Sequence, residues 1–154
     1  MKRWESWVNR IGVGLTALSG IVYGVMKYFL AATNPDSRLG HPWQPAVLAA
    51  HVLAAPVAIF GLGLLWRSHA LFRLQSGERE SRRTGLTLFR VAPPLVLSGY
   101  LVQVFTGEPL RKAIGWLHAA LGVAFALAFV LHLVGSRLPD DAAETPAQPK
   151  RRLP

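Results

Sequence analysis

Five histidines are the residues through which this chain could do chemistry: His41, His51, His69, His118 and His132. The chain has no cysteine. That excludes disulfides, thiolate-bound iron–sulfur clusters, thiolate zinc sites and covalent haem attachment. All eight acidic residues (Glu5, Asp36, Glu78, Glu80, Glu108, Asp140, Asp141 and Glu144) lie outside the long apolar blocks of the sequence. Proton relays, cation transporters and carboxylate metal sites place Asp or Glu inside such blocks. No nucleophile-and-base pair and no phosphate-binding loop is visible either. What remains is neutral imidazole, which costs far less to bury than a charge and is a good axial ligand for haem iron.

The spacing of the histidines carries this further. His118 and His132 stand fourteen residues apart in "GWLHAALGVAFALAFVLHLVG". On a helix, fourteen steps fall about 40° short of four turns, so both rings leave nearly the same face, about 21 Å apart along the axis. His51 and His69 are eighteen residues apart, which is five whole turns and about 27 Å. Flanking residues give comparable depths. His118 follows Lys112 by six residues and His51 follows Pro45 by six; His132 precedes Arg137 by five and His69 precedes Arg73 by four. The pairs expected to face each other are therefore His51 with His118 and His69 with His132, each supplying two axial ligands to one haem b. The two separations differ by roughly one helical turn, a mismatch that tilt or a bend at Pro56 would have to absorb. His41 projects about 80° away from His51 and is read as a loop residue, in reserve as an outer ligand.

These histidines need elements to position them, and the sequence supplies four apolar blocks, roughly 11–31, 45–70, 85–105 and 114–134. Each is near the ~20 residues that cross ~30 Å of hydrocarbon as a helix. In lipid the backbone must satisfy its own hydrogen bonds, so all four read as helices, with Pro93-Pro94 expected to bend the third. The first block follows a basic start, "MKRWESW", and is too long for a signal-peptide core, so it reads as a retained signal-anchor. The expectation is an all-α integral membrane protein, a four-helix bundle over 1–137 with a polar, Pro-rich tail at 138–154.

The net charge of +9 does not point to nucleic acid, because the basic residues sit between the apolar blocks and form no stripe or recognition helix. They report topology instead. Lys2, Arg3, Arg10, Arg67, Arg73, Arg79, Arg82, Arg83, Arg137, Lys150, Arg151 and Arg152 fall on one side, and Arg38, Arg111 and Lys112 on the other. The positive-inside rule then puts both termini in the cytoplasm of a bacterial inner membrane. Trp43, Trp66 and Trp116 lie at block ends, where amphipathic rings meet headgroups. A flat macrocycle also needs room and cations. Gly122, one turn after His118, is a candidate for the first, together with Gly12, Gly14, Gly20, Gly24, Gly61, Gly63 and Gly99. Arg67, Arg73 and Arg90 on the inner side, and Arg38, Arg111 and Lys112 on the outer, are candidates for holding propionates.

The stretch "GWLHAALGVAFALAFVLHLVG", with its HxxxG start and fourteen-residue histidine spacing, resembles the last helix of the four-helix di-haem b-type cytochromes. These include the membrane subunits of formate dehydrogenases and nickel–iron hydrogenases. "LSGYLVQVF" is similar to their third helix and "HVLAAPVAIFGLGLLWRSH" to their second, so the likeness spans roughly four-fifths of the chain. It implies electron transfer across the membrane between a quinone pool and a partner redox protein, as a subunit of a respiratory complex rather than a stand-alone enzyme. The expected partner is periplasmic: a multihaem cytochrome, or a dehydrogenase or hydrogenase subunit. One departure is plain. In the dehydrogenase subunits the inner haem takes a ligand from the first helix, and the first block here has no histidine. Either His69 replaces that ligand or the inner haem is missing. Three other readings stay open: a mono-haem cytochrome using His51 and His118 alone, a haem-free membrane anchor or assembly subunit, and a histidine-lined metal transporter.

Overall fold

The computed structural model describes residues 3–30, 41–66, 71 and 82–135. Four helices account for nearly all of them: α1 (Arg3–Tyr28), α2 (Gln44–Leu65), α3 (Arg82–Val104) and α4 (Glu108–Gly135). There is no strand among the described residues. With 26, 22, 23 and 28 residues, each is long enough at ~1.5 Å per residue to cross a bilayer core, and each is apolar enough to do so. The expected tail at 138–154 lies outside the described residues.

α1 and α4 begin well before their apolar blocks. α1 starts at Arg3 rather than near Ile11, and α4 at Glu108 rather than near Ile114. An apolar block marks what lipid can solvate, whereas the hydrogen-bond ladder continues into polar flanks wherever the ends are well closed. At α4 the carboxylate of Glu108 meets the partial positive charge of the first turn. Pro109 follows at a position where an N–H would have no helical partner, and Arg111 N–H donates to the Gly107 carbonyl at 2.9 Å. α2 opens similarly, with Pro45 in its first turn and Val47 N–H donating to Trp43 O at 3.0 Å. α3 runs through Pro93 and Pro94, and α2 through Pro56, as single helices.

The helices form two antiparallel hairpins. α1 lies along α2, α3 along α4, and the hairpins meet where α1 touches α4. The pairings run in opposite directions along each hairpin: Gly12 abuts Ala58 and Gly61 abuts Asn9; Gly99 lies at His118 and Gly85 at His132. One buried residue from each helix, Val13, Ala58, Ala92 and Phe125, builds the central layer. The inside is thus small, and large apolar side chains point outward: Leu18 is 63% exposed, Leu53 75% and Leu127 61%. A helix that is apolar all round belongs in a large core or in lipid, and these have no large core. Aromatic stacks clamp the two ends. Tyr28 of α1 stacks on Trp116 of α4 at 4.2 Å between centroids, and Trp66, just after α2, stacks on Phe89 of α3 at 4.1 Å. Two of the three tryptophans at block ends therefore also join helices.

Candidate functional site

His51 on α2 and His118 on α4 come together inside the bundle, with ring centroids 6.1 Å apart and ring planes at 71°. Each ring is held from outside the pair by a different helix. The Nδ1–H of His51 donates to the Thr16 carbonyl of α1 at 2.9 Å, with Ser19 Oγ at 3.3 Å. The Nδ1–H of His118 donates to the Leu95 carbonyl of α3 at 3.2 Å, with Ser98 Oγ at 3.1 Å. A carbonyl can only accept, so Nδ1 carries the proton in both rings and Nε2 keeps its lone pair. No hydrogen bond engages either Nε2 among the described residues.

The ring spacing is that of two imidazoles able to share one metal. A metal–imidazole bond is about 2.0–2.1 Å. With each ring centre about 1.1 Å behind its nitrogen, two axial imidazoles on one metal have centroids about 6.3 Å apart. The observed spacing matches that, and an Nδ1–H tied to a backbone carbonyl is the usual outer support of a ligating histidine. Among the described residues no three His, Asp or Glu side chains gather into a metal-binding group. A two-imidazole site, with the other ligands supplied by a macrocycle, is the arrangement these residues can serve. Beside it, Thr16 Oγ1 is buried without a partner among the described residues.

Space for the rings comes from glycine. A Cβ on Gly20 would stand 2.8 Å from His51 Cε1, and one on Gly99 would stand 3.1 Å from His118 Cε1. The other glycines divide by role. Gly12 and Gly61 let the α1 and α2 backbones touch, whereas Gly14, Gly24 and Gly63 face open space. Gly122 looks across to Leu95 Cδ1, with 3.9 Å to its notional Cβ, so a methyl group would fit there.

His132 is half-buried near the C-terminal end of α4, where its Nδ1 meets Thr84 Oγ1 of α3 at 3.1 Å. A Cβ on Gly85 would be 3.5 Å from its Cε1. The proposed partner His69 and the cation Arg67 lie outside the described residues. Within described α2, the residue fourteen positions after His51 is Leu65. His41 stands apart from both sites. Its Nδ1 accepts the Trp43 N–H at 3.2 Å, and its carbonyl accepts from Gln44 N–H at 3.0 Å. A neutral ring whose Nδ1 accepts has its proton on Nε2, the reverse of His51 and His118. The turn into α2 therefore accounts for His41, which leaves no free lone pair for a metal. Arg90 is exposed on α3.

Other features of the site went unread in the sequence. One is Lys27, inside the first apolar block, whose Nζ lies 5.4 Å from the Tyr28 ring centroid and 5.6 Å from that of Tyr23. Another is an apolar groove of about 380 Å³ between α2 and α3, lined by Ile59, Leu62, Trp66, Pro93, Leu97 and Tyr100 among others. The signal most open to detection was the tripeptide Leu-Ser-Gly, which occurs at 18–20 and again at 97–99, each time beside a histidine of the other helix. Compared with protein-family models, with curated proteins and with solved structures, the chain matches none.

Proposed function

We propose that this chain is a membrane b-type cytochrome subunit carrying electrons through two bis-histidine haems, between a quinone pool and a partner redox protein. The observation that carries the reading is the His51–His118 pair: 6.1 Å between rings, with the two Nδ1–H groups tied to carbonyls of α1 and α3. Haem b would supply the one-electron couple there. The chain's own residues orient the two imidazoles, keep their Nε2 lone pairs available and surround them with apolar helix. His132, which the sequence pairs with His69, is the second site of this reading. Phe125 lies seven residues from both His118 and His132, so the central layer separates the two sites. The excess of Lys and Arg supports both termini on the cytoplasmic side of a bacterial inner membrane. The groove between α2 and α3 is where a lipid-borne quinone would reach the bundle. The partner is a periplasmic redox protein, a multihaem cytochrome or a dehydrogenase or hydrogenase subunit.

A mono-haem reading has its own support, because α2 offers no second imidazole among its described residues. A pyridine haemochrome assay on the purified chain distinguishes the two. The expected result is two haem b per chain. One per chain favours the mono-haem form. A chain purified from haem-replete cells with none would be an anchor or assembly subunit, and the cytochrome reading would fall.

A further inference from the structure

The two hairpins hold their histidines with the same device. On α1, Ser19 Oγ–H donates to the Leu15 carbonyl at 2.7 Å and lies 3.1 Å from the Thr16 carbonyl. Its proton is thereby committed to the backbone, and its lone pair faces His51 Nδ1 at 3.3 Å. The Thr16 carbonyl, three residues before Ser19, takes the main share of the same N–H at 2.9 Å. On α3, Ser98 Oγ–H donates to the Leu95 carbonyl at 2.9 Å, its lone pair faces His118 Nδ1 at 3.1 Å, and the Leu95 carbonyl, again three residues back, accepts from that Nδ1 at 3.2 Å. In both helices the next residue is a glycine whose missing Cβ leaves room for ring carbon Cε1. Ser98 is 3% exposed.

A hydroxyl followed by glycine meets a third imidazole: Thr84 Oγ1 lies 3.1 Å from His132 Nδ1. Thr84-Gly85 lies fourteen residues before Ser98-Gly99 on α3, as His132 lies fourteen after His118 on α4. Two antiparallel helices repeating at one interval keep the same register at both levels. Ala92, midway between the glycines, and Phe125, midway between the histidines, both belong to the buried layer between. Helix packing alone would ask only for small residues at these crossings. It does not explain why each glycine follows a hydroxyl that meets an imidazole Nδ1.

We propose that Ser19-Gly20 and Ser98-Gly99 are positioning dipeptides, which fix the orientation and proton position of His51 and His118 and set how strongly each ring donates to iron, and that Thr84-Gly85 orients His132 in the same way. What the rings bind rests on the cytochrome reading above; the proton position does not. A ring that shares Nδ1–H with a carbonyl and a hydroxyl has partial imidazolate character, is a stronger donor, and favours ferric iron. Gly20 and Gly99 control the ring plane, because a Cβ there would stand 2.8 or 3.1 Å from Cε1.

The test uses the full-length chain in lipid nanodiscs. Ser98→Ala should keep haem at the wild-type stoichiometry and raise the midpoint potential of one haem, since a lost hydrogen bond weakens the donor. Ser98→Thr, which restores the hydroxyl, should return it towards the wild-type value. Gly99→Ala should alter the low-spin ferric EPR signal of that haem, which reads the angle between axial rings. Ser19→Ala repeats the potential test from the other side of the pair, so a misfolded Ser98 variant leaves the question decidable. Haem-containing variants Ser98→Ala and Ser19→Ala that both retain the wild-type potential and EPR signal overturn the proposal. Ring ¹⁵N NMR of the haem-free chain provides the independent arm. His51 and His118 should both carry their proton on Nδ1, and a proton on Nε2 overturns the proposal. If the wild-type chain takes no haem, the cytochrome reading alone fails, and the ring spectrum still decides on the dipeptides.

Discussion

If the chain carries the two haems proposed for it, replacing His118 with alanine should remove one and leave the other. The expectation follows from how little else at that position could ligate. His51 and His118 are each other's ring neighbours at 6.1 Å, and His41, the reserve ligand, has its Nδ1 lone pair taken by the Trp43 N–H. Outer-shell partners of a ligating histidine are alone worth about 10–100-fold in metal affinity, so loss of the ligand itself should lower haem affinity by more than about a hundredfold. His51→Ala should do the same to the same haem. His132→Ala should remove the other one, because its cradle is on the far side of the Ala92–Phe125 layer. His41→Ala should lose neither. Haem per chain by pyridine haemochrome, together with a potentiometric titration showing which component disappears, checks all four. A His118→Ala protein with both haems intact would show that the ring pair is packing and not a site.

The apolar blocks made the architecture legible, because a bilayer leaves helices as the only economical reading of four ~20-residue apolar runs. Their ends were less legible. Hydropathy ends where lipid ends, while α4 continues back to Glu108 on the strength of its own N-terminal turn. The meeting of His51 with His118 could be read from matched depths on helices running the same way. Which helix would hold each ring from behind could not. That depends on which neighbour lies along which, and on serine protons being taken up by carbonyls three and four residues earlier. Glycine roles were equally hidden. In sequence Gly12, Gly14, Gly20 and Gly24 look alike; in space one touches backbone, one touches an imidazole and two touch nothing. His41 shows the limit from the other direction, since its spacing permits a loop role or a ligand role and only the Trp43 N–H selects between them.

Gly12→Ala should damage the site without touching it. The added Cβ would lie 2.8 Å from Ala58 N, 2.9 Å from Val57 C and 3.0 Å from Ala58 Cα, all backbone atoms that no rotamer change can move. Ordinary carbon contacts are about 3.5–4.0 Å, so α1 and α2 must separate by roughly the difference. Overpacking of this kind costs about 1–3 kcal/mol, against a helix-propensity gain of at most about 1 kcal/mol from Gly to Ala. Gly61→Ala drives the same separation from the facing helix, with its Cβ 2.8 Å from Asn9 Cα. The double variant should therefore cost less than the sum of the two, as changes at one contact do. The controls are built in, because Gly14, Gly24 and Gly63 have nothing within 4 Å, and alanine at those positions should be neutral or mildly stabilising. A net loss of about 1 kcal/mol corresponds to a fall in Tm of roughly 2–4 °C for a chain of this size, measurable by circular dichroism in detergent. The same separation stretches the bonds that α1 makes to His51, at 2.9 and 3.3 Å, past useful hydrogen-bonding distance. Gly12→Ala should therefore also weaken binding of the haem proposed for His51 and His118 more than of the one proposed for His132. Equal stability of Gly12→Ala and Gly14→Ala would mean that the α1–α2 backbone contact is not what holds this hairpin, or His51, in place.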